Sequence, residues 1–217
     1  MEQNIQILIY VHAIFGGIAL LSGFISLITK KGLHIHKKAG LTFYYSMICS
    51  GITAMIVTLL PNHENPFLFS VGVFSLYFVL AGYRALKFKT PNINLTIDKW
   101  ISSLMLVTGV LMIIIPIIVS QNVNIVLLVF GIVGIVFSTR DLMHYKNPQH
   151  LQEKWLKLHL GKMIGGLISA TTAFVVVNAF FSDIFNWLLP GIIGAFVVVY
   201  WIRKINKTKK PLSKKVV

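Results

Sequence analysis

Seven histidines are the main chemical resource of this 217-residue chain. Imidazole ligates zinc, iron and copper and titrates near neutral pH. His34 and His36 precede one apolar run, His144 and His150 follow another, and His159 opens a third. Arg140, Asp141 and His144 are spaced to share one helical face. If these ends converge, His36, His144 and His159 supply three imidazoles near one depth, and Asp141 could orient a ring or complete a metal shell. Two of the rings could instead be axial ligands to a haem. A transition metal or haem is thus the cofactor class in view, with His36, His144, His159 and Asp141 as the metal-site candidates. The competing reading is a structural network of Arg140, Asp141 and nearby histidines. A proton or substrate path is the third. Arg84, beside Tyr83, could join the same cluster.

His12 stands apart, inside the first apolar run. A polar residue at that depth faces the bundle. A hydrogen bond to a neighbouring helix is expected, and a ligand or proton site is the sharper alternative. His63 reads as a solvated turn residue, and Cys49 as a small apolar filler. The pattern disfavours other chemistries. There is no Cys-x-x-Cys, His-Glu-x-x-His or Gly-x-Ser-x-Gly, and no lysine in the middle of the last apolar run for a retinal Schiff base. The Ser, Asp and multiple His of seven-helix zinc hydrolases cannot be placed at one level. Helices three, four and seven offer almost no ionisable group in their middles, which argues against an ion-coupled pump with a central carboxylate.

The elements that must position these residues are plain. Hydrophobic residues make up 56% of the chain and charged ones 12%, so it cannot clothe itself in polar surface. Seven runs reach the roughly 20 apolar residues that span a bilayer: 5–29, 39–60, 66–88, 98–119, 121–142, 157–181 and 184–203. They lack the alternation of barrel strands. An all-α, seven-helix transmembrane domain over 1–203 is predicted, with a basic tail over 204–217. The start has no positively charged n-region, so the first run is expected to stay as a helix. Pro66 suits a first helical position, and Asp98 suits a helix N-terminus. Small residues mark packing seams: Ala13 and Gly17, Ala19 and Gly23, Gly131 and Gly134, Gly161 and Gly165.

The formal charge is +14. With seven spans, all 20 lysines and arginines fall on one side, which the positive-inside rule makes the cytoplasm. The N-terminus is then outside and the C-terminus inside, in a multi-pass protein of a bacterial cytoplasmic membrane. The partner implied is the lipid bilayer, with anionic headgroups at the basic face. Nucleic acid is not implied, because the basic tail directly follows a spanning helix.

His12, Gly16, Gly17 and Gly23, then His36-Lys37-Lys38-Ala39-Gly40 and Met47, resemble a family of uncharacterised bacterial multi-pass membrane proteins. That family has a His in helix one and a His-Arg-x-x-Gly motif after a basic loop; here Lys37 replaces the Arg. His159 and Met163 match a second, later element of the family, without its accompanying Trp and Arg. The resemblance implies membrane location and weight on His12, His36 and His159, but no activity. Three function classes follow: a metal- or haem-binding membrane protein, a small-molecule permease or accessory subunit, and a structural partner without a site.

Overall fold

A computed structural model describes residues 2–208. Seven helices run in order: α1 (Glu2–Ile28), α2 (His34–Val57), α3 (Pro66–Arg84), α4 (Thr96–Ser120), α5 (Ile125–His144), α6 (Pro148–Asn178) and α7 (Asp183–Thr208). A 3₁₀ turn, Ala85–Lys89, extends α3. All seven are long and apolar enough to cross a membrane. In lipid each backbone polar group must be satisfied within its own segment, which selects helices. The outer surface is correspondingly apolar: Leu21, Trp100, Ile118 and Phe196 all point outward. The chain is a multi-pass membrane protein.

The helix starts follow from side-chain caps. Asn65, Asn124 and Asn147 each accept a hydrogen bond from the amide three residues on. Pro66 and Pro148 hold first helical positions behind two of them. The Asn124 cap starts α5 at Ile125, later than the run at 121 suggests, because Gln121 closes α4 in a left-handed conformation. The Asn147 cap starts α6 at Pro148, well before the apolar run at 157. The polar stretch 149–157 hides this helical extension from a hydropathy reading, although Leu151 within it is fully buried.

Three hairpins carry much of the packing: α1 on α2, α4 on α5, and α6 on α7. α3 stands among them, against α2, α4 and α6. Consecutive helices commonly pack together, yet α5 and α6 meet only marginally, with α3 packed broadly along α6. In the α4–α5 seam, a Cβ on Gly131 would lie 2.7 Å from the Gly109 carbonyl oxygen, so backbone rests on backbone. Ala19 and Gly23 form a true seam against Phe43 and Leu167. Ala13 and Gly17 do not: both are exposed, and nothing lies within 4 Å of a Cβ on Gly17. Gly161 is likewise open, while Gly165 meets Phe78. Cys49 is exposed on the outside of α2 and fills no core gap.

Candidate functional site: a buried charged junction

The polar centre of the molecule is built on Asp141, Lys162 and Tyr77. Asp141 lies in the last turn of α5, where the negative end of the helix dipole disfavours a carboxylate. Lys162, from α6, supplies the compensating charge: its Nζ is 2.7 Å from Asp141 Oδ2. Tyr77 of α3 closes a triangle, its hydroxyl donating to Asp141 Oδ2 at 2.7 Å and accepting from Lys162 Nζ at 2.7 Å. Both charged side chains are about 4% exposed. The ammonium also rests 4.3 Å from the Tyr77 ring centroid and 5.5 Å from that of Phe137, which adds cation–π attraction in an apolar surround.

The network continues through hydroxyls. Ser102 of α4 donates to Asp141 Oδ2 at 3.3 Å and lies 3.3 Å from the Tyr145 hydroxyl. Tyr145 is beyond the end of α5, where burial, with the Asp141 carboxylate adding to it, pushes its phenol well above the ordinary range. Ser102 has one hydroxyl proton and gives it to Asp141, so the Tyr145 hydroxyl donates to Ser102. Four helices thus meet through one carboxylate oxygen, and the α5–α6 connection joins them through Ser102.

A second pair sits beside it. Arg84, at the end of α3, grips Asp98 in the first turn of α4 with Nε on Oδ1 at 2.6 Å and Nη2 on Oδ2 at 2.5 Å. This bidentate fork is a strong geometry. Asp98 also gains from the positive end of its own helix, as the sequence predicts.

The histidines are placed elsewhere. Carbonyl oxygens only accept, so each ring nitrogen facing one must carry the proton. His12 Nδ1 donates to the Ser50 carbonyl at 2.9 Å, and the Ser50 hydroxyl returns a bond to the His12 carbonyl at 3.1 Å. The expected bond from His12 to another helix is there. His36 is within α2 and not ahead of it; its Nδ1 donates to the Ser26 carbonyl at 3.0 Å. His159 lies about three turns into α6, not at its start, and donates to the Gly82 carbonyl at 2.8 Å. Ser26 and Gly82 are both in final helical turns, where carbonyls run out of helical partners. Lys31 completes the capping of α1, reaching the Leu27 carbonyl at 2.5 Å and lying 4.3 Å from the Trp201 ring centroid. Burial there, together with Lys204, lowers its basicity. His63 bonds only within its own turn.

His144 is the last residue of α5, with its ring centroid 5.9 Å from that of His150. Asp141 turns to Lys162 and Tyr77, away from any imidazole partner. Arg140 is exposed and takes no part in the junction: adjacent residues on a helix point about 100° apart, and burial of Asp141 turns Arg140 outward. Arg84 does join the polar region, through Asp98. Among the described residues, no three His, Cys, Asp or Glu side chains are grouped to hold a metal ion.

Sequence reading missed Lys162 as a site residue, taking it for one of the cations at the basic face. One signal was available: Lys162 falls on the His159–Gly166–Ser169 face of its helix, which is the buried face. Tyr77 and Ser102 carry no such mark. Lys209, Lys210, Lys214 and Lys215 of the basic tail lie outside the described residues; the tail's beginning, 204–208, is the end of α7. No known family, no curated protein and no solved structure matches the chain.

Proposed function

We propose that the protein is a small-molecule permease coupled to protons, with Asp141 and Lys162 as its proton-loading and gating site. One observation carries the reading: a buried ion pair that fastens α5 to α6 across α3, inside a protein whose surroundings are lipid. Ionisable groups buried in a membrane protein are costly and mark ion or substrate paths; the carboxylate is not the mid-helix group that the sequence argues against, but one in the last turn of α5. Uptake of one proton from the aqueous side by Asp141 Oδ2 leaves a neutral carboxylic acid beside the Lys162 ammonium, and its release restores the pair. The Coulombic hold between α5 and α6 is gone while that proton is bound. The α4–α5 hairpin packs tightly on itself and on α3, through Phe74, Tyr77 and Phe78, and only sparsely on α6 and α7, so the ion pair is its main tie to α6. The hydroxyls of Tyr145 and Ser102 offer a hydrogen-bonded way in from the α5–α6 connection.

The reading places the N-terminus outside and the basic end in the cytoplasm of a bacterial cell membrane. The charge segregation of the sequence supports this, and a reporter fused after Val217 tests it by being active only in the cytoplasm.

A pH jump on protein reconstituted on a solid-supported membrane tests the site without a known substrate. Loading and unloading of a proton within the membrane gives a transient current. Asp141→Asn abolishes it, and Arg140→Gln, at the exposed neighbour, preserves it. If wild-type protein moves no charge, the permease reading fails and the junction is a structural fastening.

A further inference from the structure

A hollow of about 480 Å³ lies at the corner between α3 and α4, lined in part by Tyr83, Leu86, Lys87, Lys89, Asn92 and Ile93. We propose that it is a binding site for one anionic phospholipid, independent of any transport by the junction. Its lining divides by chemistry. Lys87 and Lys89 offer two ammonium groups and Asn92 an amide, the donors a headgroup phosphate needs. Leu86 and Ile93 offer the apolar wall that glycerol and the first acyl carbons need. No Asp or Glu is among the lining residues to compete.

The site is also preformed. Tyr83 is fixed by stacking on Tyr44, with centroids 4.1 Å apart. Phe88, in the same 3₁₀ turn as the two lysines, is buried and packs edge-on against Tyr145 at 6.0 Å. Lys89 is held 5.9 Å from the Trp155 ring centroid. The level is right for a lipid: the turn directly continues a spanning helix, and Trp100 on adjacent α4 points outward as interfacial tryptophans do. A soluble phosphate would use the lysines and waste the apolar wall, so a membrane lipid is the occupant.

Native mass spectrometry of the full chain in detergent, titrated with phosphatidylglycerol against phosphatidylcholine, reads the site. Wild-type protein retains one phosphatidylglycerol in preference to phosphatidylcholine. Lys87→Ala with Lys89→Ala lowers that occupancy at least about tenfold, since each lysine near an anionic lipid contributes roughly a fivefold step. Lys87→Arg with Lys89→Arg keeps it. The charge-matched Lys30→Ala with Lys38→Ala, at exposed positions in the α1–α2 connection and early in α2, changes it less than about twofold. Equal loss in both alanine pairs means only diffuse attraction to the basic face and overturns the proposal. Displacement of the lipid by millimolar inorganic phosphate makes the occupant a soluble anion and overturns it equally.

Discussion

The α1–α2 hairpin and the α3–α6 junction both carry polar side chains into the bundle, by different routes. In the hairpin, His12, Ser50, Ser26 and His36 find partners on the helix next in sequence, and every partner is neutral. At the junction, Tyr77, Ser102, Asp141 and Lys162 come from four helices, and full charges face each other. The first arrangement tolerates the loss of a member, because each remaining group is uncharged. The second does not, because removing one charge strands the other. A hairpin of that kind is interhelical adhesive, and a junction of this kind has two electrostatic states, which is what a switch requires.

The largest expected effect breaks the junction from one side. Lys162→Met leaves the Asp141 carboxylate buried against the negative end of α5, and stability falls by about 3–5 kcal/mol. Titration of helicity with a denaturing detergent measures it. Adding Asp141→Leu removes the stranded charge and restores most of the loss. A single mutant as stable as wild type would show that the ammonium is not buried on the carboxylate at all.

Next comes Arg84→Ala. Asp98 keeps the favourable end of its helix, so the loss is smaller, about 2 kcal/mol for hydrogen bonds to a charged group. The same titration compares Arg84→Lys, which keeps the charge and loses the fork. Full rescue by lysine would mean that charge alone holds the pair, and that the bidentate geometry adds nothing.

These two pairs also mark where the sequence was readable. Seven spans were legible because lipid demands about 20 apolar residues for each crossing, and no other structure meets that demand so simply. His12 was legible because its partner lies on the next helix, and Asp98 because its place at a helix start has a local reason. The Asp141–Lys162 contact was not. It depends on α3 standing between α5 and α6, which no local pattern encodes, and the polar start of α6 concealed how deep Lys162 lies. The proposed histidine cluster rested on depth alone. Depth places rings at one level without deciding which way each faces, and two of the three, His36 and His159, found backbone carbonyls instead.

Within the hairpin, Ser50→Ala removes the hydroxyl that bonds the His12 carbonyl while leaving the His12 bond to the Ser50 carbonyl in place. The expected loss is about 0.6 kcal/mol, the average for an interhelical hydrogen bond in a membrane bundle. A loss of the size seen for Lys162→Met would erase the distinction between the two regions.

The smallest effect sharpens the boundary of the hairpin. Gly17 sits on the same helix as His12, in a spacing that reads as a packing seam. A seam glycine admits no Cβ without displacing a neighbour, whereas nothing lies within 4 Å of a Cβ on Gly17. Its face is turned outward, and the contact with α2 runs through Gly16, where an added Cβ meets the Ser50 hydroxyl at 3.3 Å. Gly17→Ala therefore changes stability by less than about 1 kcal/mol, and upward if at all, because alanine is the better helix former. Thermal unfolding of the variant in micelles checks this. A clear loss would mean that a second helix, from this chain or from another copy, rests on that face. The hairpin would then be held from both sides, and its tolerance of neutral losses would need another explanation.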